Sequence, residues 1–219
     1  MTHLDVEIQQ LRDSMKEMMA LTLSQISKAR KTFLTLDKDL GREIVFYERR
    51  INSIELKIDR DCENILALLN PVAIDLRFVL ACMKINTSLE RIADTAEGLG
   101  NYVSEIKTPF DAELIAKIGL VEMFDVAESM LADVFKAFEM EDSSIAHGVF
   151  KKDEKLNELN IKAALVTEEF IKAHLDKTYE SLFVLSAIRK MERVGDIAKN
   201  IAEEIIFYIE AKVLKHKKD

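Results

Sequence analysis

Glu90-Arg91-Ile92-Ala93-Asp94 recurs as Glu192-Arg193-Val194-Gly195-Asp196, displaced by 102 residues. Self-similarity at a fixed displacement marks an internal repeat. Upstream, Glu48-Arg49-Arg50-Ile51-Asn52 is answered by Asp153-Glu154-Lys155-Leu156-Asn157 at a displacement of 105, so the second copy is three residues shorter between these points. A loop is the expected place for that difference. The chain therefore divides into two like halves, 1–106 and 107–219.

Around these segments apolar residues recur every three or four positions, as in Leu21, Ile26, Ala29, Phe33 and Leu36. That spacing lays one apolar stripe along a helix. Six Gly and two Pro in 219 residues are too few for the many tight turns of a β or α/β fold of this length. Asn70-Pro71 and Thr108-Pro109 read as helix starts, with Asn or Thr capping and Pro in the first turn. With polar breaks near Asp37, Glu141-Asp142-Ser143 and Asp176-Lys177-Thr178, six helices are predicted at about 3–36, 38–69, 71–104, 109–139, 142–174 and 178–214. Short connections make successive helices antiparallel. The fold class is all-α: two tandem, pseudo-symmetric antiparallel three-helix bundles.

Apolar residues at 48% and charged residues at 32% describe a globular chain with a densely charged surface. Its net charge of −8 gives no basic footprint for nucleic acid. The opening MTHLDVEIQQ lacks the basic start and apolar core of a signal peptide, and no apolar run reaches the length of a membrane span, so a cytoplasmic location is expected without membrane insertion. A peripheral contact between an anionic membrane and the basic end Lys212-Val213-Leu214-Lys215-His216-Lys217-Lys218 is left open. Cys62 and Cys82 have neither CxxC nor Cys/His spacing and read as small buried apolar residues.

Residues four apart share a helix face, so Glu90 with Asp94, and Glu192 with Asp196, each present two carboxylates to one side. On the third helix Leu76, Leu80, Met83 and Thr87 lead into Glu90, Asp94, Glu97 and Asn101. The sixth runs from Leu182, Leu185 and Arg189 into Glu192, Asp196, Asn200 and Glu203, beside a face of Ile188, Met191, Ala198, Ile201 and Ile205. The carboxylates thus continue an apolar stripe and are expected at a bundle rim. Glu48 with Asn52, and Asp153 with Asn157, are the oxygen donors that the second and fifth helices can turn towards them. Converging carboxylate and amide oxygens suit hard cations such as magnesium, manganese, calcium or oxidised iron. The competing reading is a solvated face laced with salt bridges, in which Arg91 and Arg193 neutralise the acidic rows; duplication of the motif favours the site.

His3, His147, His174 and His216 are scattered, and the Glu-x-x-His pairs of ferritin-like di-iron bundles are missing. No Gly-rich phosphate loop, GxSxG elbow or Ser/His/Asp constellation is apparent. Two alternatives stay open beside a non-enzymatic role: a metal-dependent phosphoryl hydrolase using the carboxylate clusters, and a structural helical scaffold.

Asn70-Pro71-Val72-Ala73-Ile74-Asp75-Leu76-Arg77-Phe78, Lys84-Ile85-Asn86 and Leu89-Glu90-Arg91-Ile92-Ala93-Asp94, together with Met191-Glu192-Arg193-Val194-Gly195-Asp196-Ile197-Ala198-Lys199-Asn200-Ile201 and its Ile206-Phe207-Tyr208 continuation, resemble the two repeats of the PhoU family. The resemblance spans nearly the whole chain. It implies multinuclear iron or zinc clusters on Glu/Asp-x-x-x-Asp pairs, carried here onto Glu90, Asp94, Glu192 and Asp196, with manganese or magnesium as alternatives. It also implies a non-enzymatic negative regulator of phosphate uptake and the phosphate-starvation response, in partnership with the phosphate ABC transporter ATPase subunit and the phosphate-sensing histidine kinase. A homodimer is expected beside it, since self-association is compatible with each of these readings. Asn52 and Asn157 stand where the family usually has the second acid of a pair, which removes a charge while keeping an oxygen donor. Ala93 stands where Gly is common.

Overall fold

The computed structural model describes residues 2–214; Met1 and residues 215–219, which include most of the basic end, lie outside the described residues. Seven α-helices follow in order: α1 His3–Thr35, α2 Lys38–Leu68, α3 Ala73–Glu105, α4 Ala112–Ile118, α5 Leu120–Met140, α6 Ser143–Ala173 and, after a 3-10 turn at Leu175–Lys177, α7 Thr178–Glu210. The starts are chemically marked. Thr2 and Asp5 form a reciprocal capping box on α1, while Asp37 and Asp142 accept backbone N–H groups at the heads of α2 and α6.

Neither proline begins a helix. Asn70 takes a left-handed φ of 47°, and α3 starts only after Val72, without a side-chain cap. Asp111 caps α4 through the N–H groups of Glu113 and Leu114. A carboxylate is a stronger acceptor there than a hydroxyl, and Thr108 instead donates to Glu180 Oε1 at 2.8 Å. The predicted helix 109–139 is split because Gly119 adopts φ +74°, which closes α4 and opens α5. The last helix stops at Glu210, where Ala211 turns left-handed, rather than at 214. Both connections between the paired helices span four residues, 69–72 and 174–177, so the three-residue difference between the halves falls at the start of α7 and not in a loop.

Helices α1, α2 and α3 pack on one another, as do α5, α6 and α7, with α4 laid on α6 and α5. The two bundles share one apolar core, because α3 also packs on α7 and α1 on α5. Phe78 of α3 meets Phe138 of α5 and Tyr208 of α7, with ring centroids 5.9 and 5.4 Å away. Polar ties cross the same junction: Arg12 to Glu141 at 2.6 Å, Arg30 to Asp125 at 2.6 Å, and Lys84 to Glu204 at 3.0 Å. Cys62 and Cys82 are free and buried, as the sequence predicts.

One apolar stripe is misplaced by the sequence pattern. The α3 face in the core is Phe78, Val79, Cys82, Ile85, Leu89, Ile92, Ala96 and Leu99, whereas Leu76 and Leu80 remain exposed. On α7 the predicted face of Ile188, Met191, Ala198, Ile201 and Ile205 is buried, and Leu182 is exposed.

Helices α2 and α3 approach closely where two glycines face each other: a Cβ on Gly100 would stand 3.1 Å from the backbone oxygen of Gly41. Gly148, in the second turn of α6, has open space around it. Gly148→Ala is therefore expected to raise stability by roughly 0.5–1 kcal/mol through helix propensity alone. Gly100→Ala should show no such gain, since backbone must move to admit the methyl. Denaturant melts of the pair check this; equal gains would mean that α2 and α3 yield freely.

Candidate metal site

The first acidic row lies between α2 and α3. Glu48 of α2 is only 6% exposed, yet both of its carboxylate oxygens are buried without a hydrogen-bond partner. Burial, then the like charges of Asp94, Glu97, Glu90 and Glu55, push its carboxyl up to about 7. The Glu90 carboxyl is also raised, by burial and by Asp94 and Glu55, with Arg91 offsetting part; it shares a hydrogen bond with Asp94. Glu55 is raised by burial, Asp59 and Asp94. Glu90 and Glu97 are half-buried, whereas Asp94 and Asn52 are exposed. Glu48, Glu90 and Asp94 are thus brought to one face as the spacing predicts, and Glu55 and Glu97 join them.

In the second row, between α6 and α7, Asp153 is likewise 6% exposed. Its environment differs. The Lys199 ammonium donates to Asp153 Oδ2 at 2.7 Å and to Asp196 Oδ1 at 3.1 Å, and Asn157 donates to the same Asp153 oxygen at 3.4 Å. Asp153 Oδ1 alone is left without a partner. Burial works against the charged form of Lys199, but its hydrogen bonds to Asp153 and Asp196, and their charges, hold its pKa above the ordinary lysine value. The Glu192 carboxyl is raised by burial, Asp196 and Asp153, against Lys199 and a hydrogen bond from Asn160.

Lys199 escapes a search for repeated residues because it is a difference between the repeats. The displacement of 102 sets it opposite Glu97. Likewise the displacement of 105 sets Asn160 opposite Glu55 and Ala164 opposite Asp59. Arg91 and Arg193 are exposed, and with Lys190, Asp94, Thr95 and Glu97 they line an open depression between α3 and α7.

Among the described residues no three His, Cys, Asp or Glu side chains are drawn together tightly enough to hold a metal ion. The donor chemistry of the first row nonetheless fits a hard cation. Its deepest carboxylate offers two unpartnered oxygens, and the acids around Glu48 include half-buried and exposed side chains with freedom to rotate onto an ion that relieves their repulsion. In the second row an ammonium already serves the two aspartates.

The PhoU domain model matches residues 15–103 and 120–205, one copy in each half. The chain is 28% identical over 217 residues to the phosphate-specific transport system accessory protein PhoU homolog 1 of Thermotoga maritima, covering 97% of this chain and 91% of that one. Against the accessory protein PhoU of Escherichia coli it is 26% identical, covering 97% and 87%. The crystal structure of PhoU from Pseudomonas aeruginosa superposes with a TM-score of 0.86 at 25% identity, over 96% of this chain and all of that one. The phosphate transport system regulatory protein PhoU from Streptococcus pneumoniae gives 0.84 at 27% identity, over 97% of this chain and 100% of that one. With both halves matched by the same domain and the whole helical architecture shared, this chain belongs to the PhoU family.

Proposed function

We propose that the chain is a non-enzymatic regulator of phosphate uptake and of phosphate-starvation signalling, linking the ATPase subunit of a phosphate ABC transporter to a phosphate-sensing histidine kinase and restraining both when phosphate is plentiful. The observation that carries this reading is the full-length match to proteins named as accessory or regulatory components of phosphate transport. Among the described residues no helix is long and apolar enough to cross a membrane, which suits a protein that works beside a transporter rather than within it. We place it in the cytoplasm, as a homodimer built from the repeats 1–106 and 107–219.

The reading includes a metal centre, iron or zinc by preference and manganese or magnesium otherwise. Glu48, Glu90 and Asp94 would supply its oxygens in the first repeat, with Asn52 close by; Asp153, Asn157, Glu192 and Asp196 hold the matching positions in the second, where Lys199 already donates to both aspartates. A bound cation supplies positive charge to a row whose carboxylates otherwise repel one another. The chain's own residues position that row: α2 carries Glu48 into the interface, and α3 brings Glu90 and Asp94 to it one turn apart.

Mild crosslinking in phosphate-rich cells followed by affinity capture is expected to retain the transporter ATPase or the kinase. A deletion strain should express phosphate-starvation genes although phosphate is abundant. Capture of neither partner, together with normal repression in the deletion strain, would reject the adaptor role.

A further inference from the structure

The repeat suggests two equivalent cation sites, but the positions around them differ in charge. In the first half Glu48, Glu55, Asp59, Glu90, Asp94 and Glu97 are all acidic; their counterparts are Asp153, Asn160, Ala164, Glu192, Asp196 and Lys199. Six carboxylates thus become three carboxylates and one ammonium. The structure shows the consequence in hydrogen bonds. Lys199 serves Asp153 and Asp196 at 2.7 and 3.1 Å, while Glu48, the counterpart of Asp153, has two buried oxygens and no donor for either. Arg91, the cation beside Glu90 in the sequence, is exposed and hydrogen-bonds none of these acids among the contacts described. A carboxylate withdrawn from water among like charges is stable as an anion only beside a cation.

We propose that the two rows are functionally unequal: the first takes a hard divalent cation on Glu48 and its acidic neighbours, while in the second Lys199 is a built-in cation that fills the same electrostatic role and closes the row to metal. This rests on the metal-binding part of the function proposed above. It makes the protein a single-row metal binder in which one repeat responds to metal supply and the other is fixed.

Metal content after stripping with chelator and dialysis against a fixed free concentration of manganese(II) tests this, with melting temperature as a second readout. Glu48→Gln combined with Asp94→Asn should abolish the manganese bound by the wild type and the melting-temperature rise it causes, while Asp153→Asn should leave both in place. Lys199→Glu, which copies the residue found at position 97, should raise bound manganese roughly twofold; Lys199→Gln, which removes the ammonium without adding a carboxylate, should raise it by less. Equal loss of manganese from Glu48→Gln and Asp153→Asn would overturn the inequality while keeping the metal reading. So would a Lys199→Glu protein of wild-type helical content with no extra manganese. A wild type that binds no manganese would overturn the first-row site and the metal reading together, and the capture experiment would then decide the adaptor role by itself. If Lys199→Glu does not fold, the comparison of Glu48→Gln with Asp153→Asn in the chain that keeps Lys199 still decides.

Discussion

Phe138→Ala is expected to destabilise the protein by about 3–5 kcal/mol, which for a chain of this length lowers Tm by roughly 6–20 °C. The ring is fully buried at the end of α5, with Phe78 at 5.9 Å and Tyr208 at 6.2 Å between centroids. The Arg12 guanidinium lies 6.0 Å from it, and closer to Phe78 at 4.4 Å. Truncation removes apolar burial and aromatic contact, and it leaves a cavity whose walls belong to different helices. Those walls cannot collapse together easily, because Phe78 sits in the first bundle and Tyr208 in the second. The same placement predicts cooperativity: a core shared by α1, α3, α5 and α7 should melt in one calorimetric transition, in the wild type and in the variant. Two separated transitions would show that the halves unfold independently. A loss below about 1 kcal/mol would show that the junction repacks around the missing ring.

Much of this architecture is legible from residue spacing, because helices this long repeat their apolar face many times and Asp37 and Asp142 announce their starts. What escaped was decided by competition that spacing does not record. At Thr108-Pro109 the proline pattern offered a cap, but Asp111 lies two residues after the proline and is the better acceptor. Gly119 sits inside an apolar run that reads as helix throughout, and only its left-handed φ reveals the break. The Leu76–Leu80 stripe keeps helical period as well as the Phe78–Cys82–Ile85 face does. Both run along α3, and packing against α1, α2 and α7 selects the second. In the acidic rows, the motif pairs Glu48 with Asn52 and Asp153 with Asn157 as the donors of the paired helices; Glu48 and Asp153 are buried there, whereas Asn52 is exposed. It could not weigh their different surroundings, since a search for identity passes over Glu97 opposite Lys199, where a carboxylate of one row is answered by an ammonium in the other.

Glu48 gives the metal-free protein a pH response of its own. The carboxyl has an ordinary value near 4.5 and is pushed up to about 7 in the fold, by burial first and then by Asp94, Glu97, Glu90 and Glu55. Below pH 4.5 it is protonated in both the folded and the unfolded chain, and its stabilising contribution is fully present. As pH rises from there, the unfolded chain releases the proton and the folded chain holds it, so stability falls; the loss is complete once pH passes the folded value near 7. The total is on the order of 3 kcal/mol. Glu48→Gln removes the ionisation while keeping a side chain of the same length and a buried oxygen. In chelator it should match the wild type near pH 4.5 and exceed it by about 3 kcal/mol at pH 8, a gain of roughly 6–12 °C in Tm. Manganese should narrow the gap at pH 8 by stabilising only the wild type, since a cation bound to the folded carboxylate adds stability by mass action and lowers the carboxyl pKa towards the unfolded value. Denaturant melts of both proteins at the two pH values, with and without metal, separate these effects. Equal stability at pH 8 in chelator would mean that Glu48 finds a compensating partner in the fold, and the case for a cation at the first row would lose its main physical support.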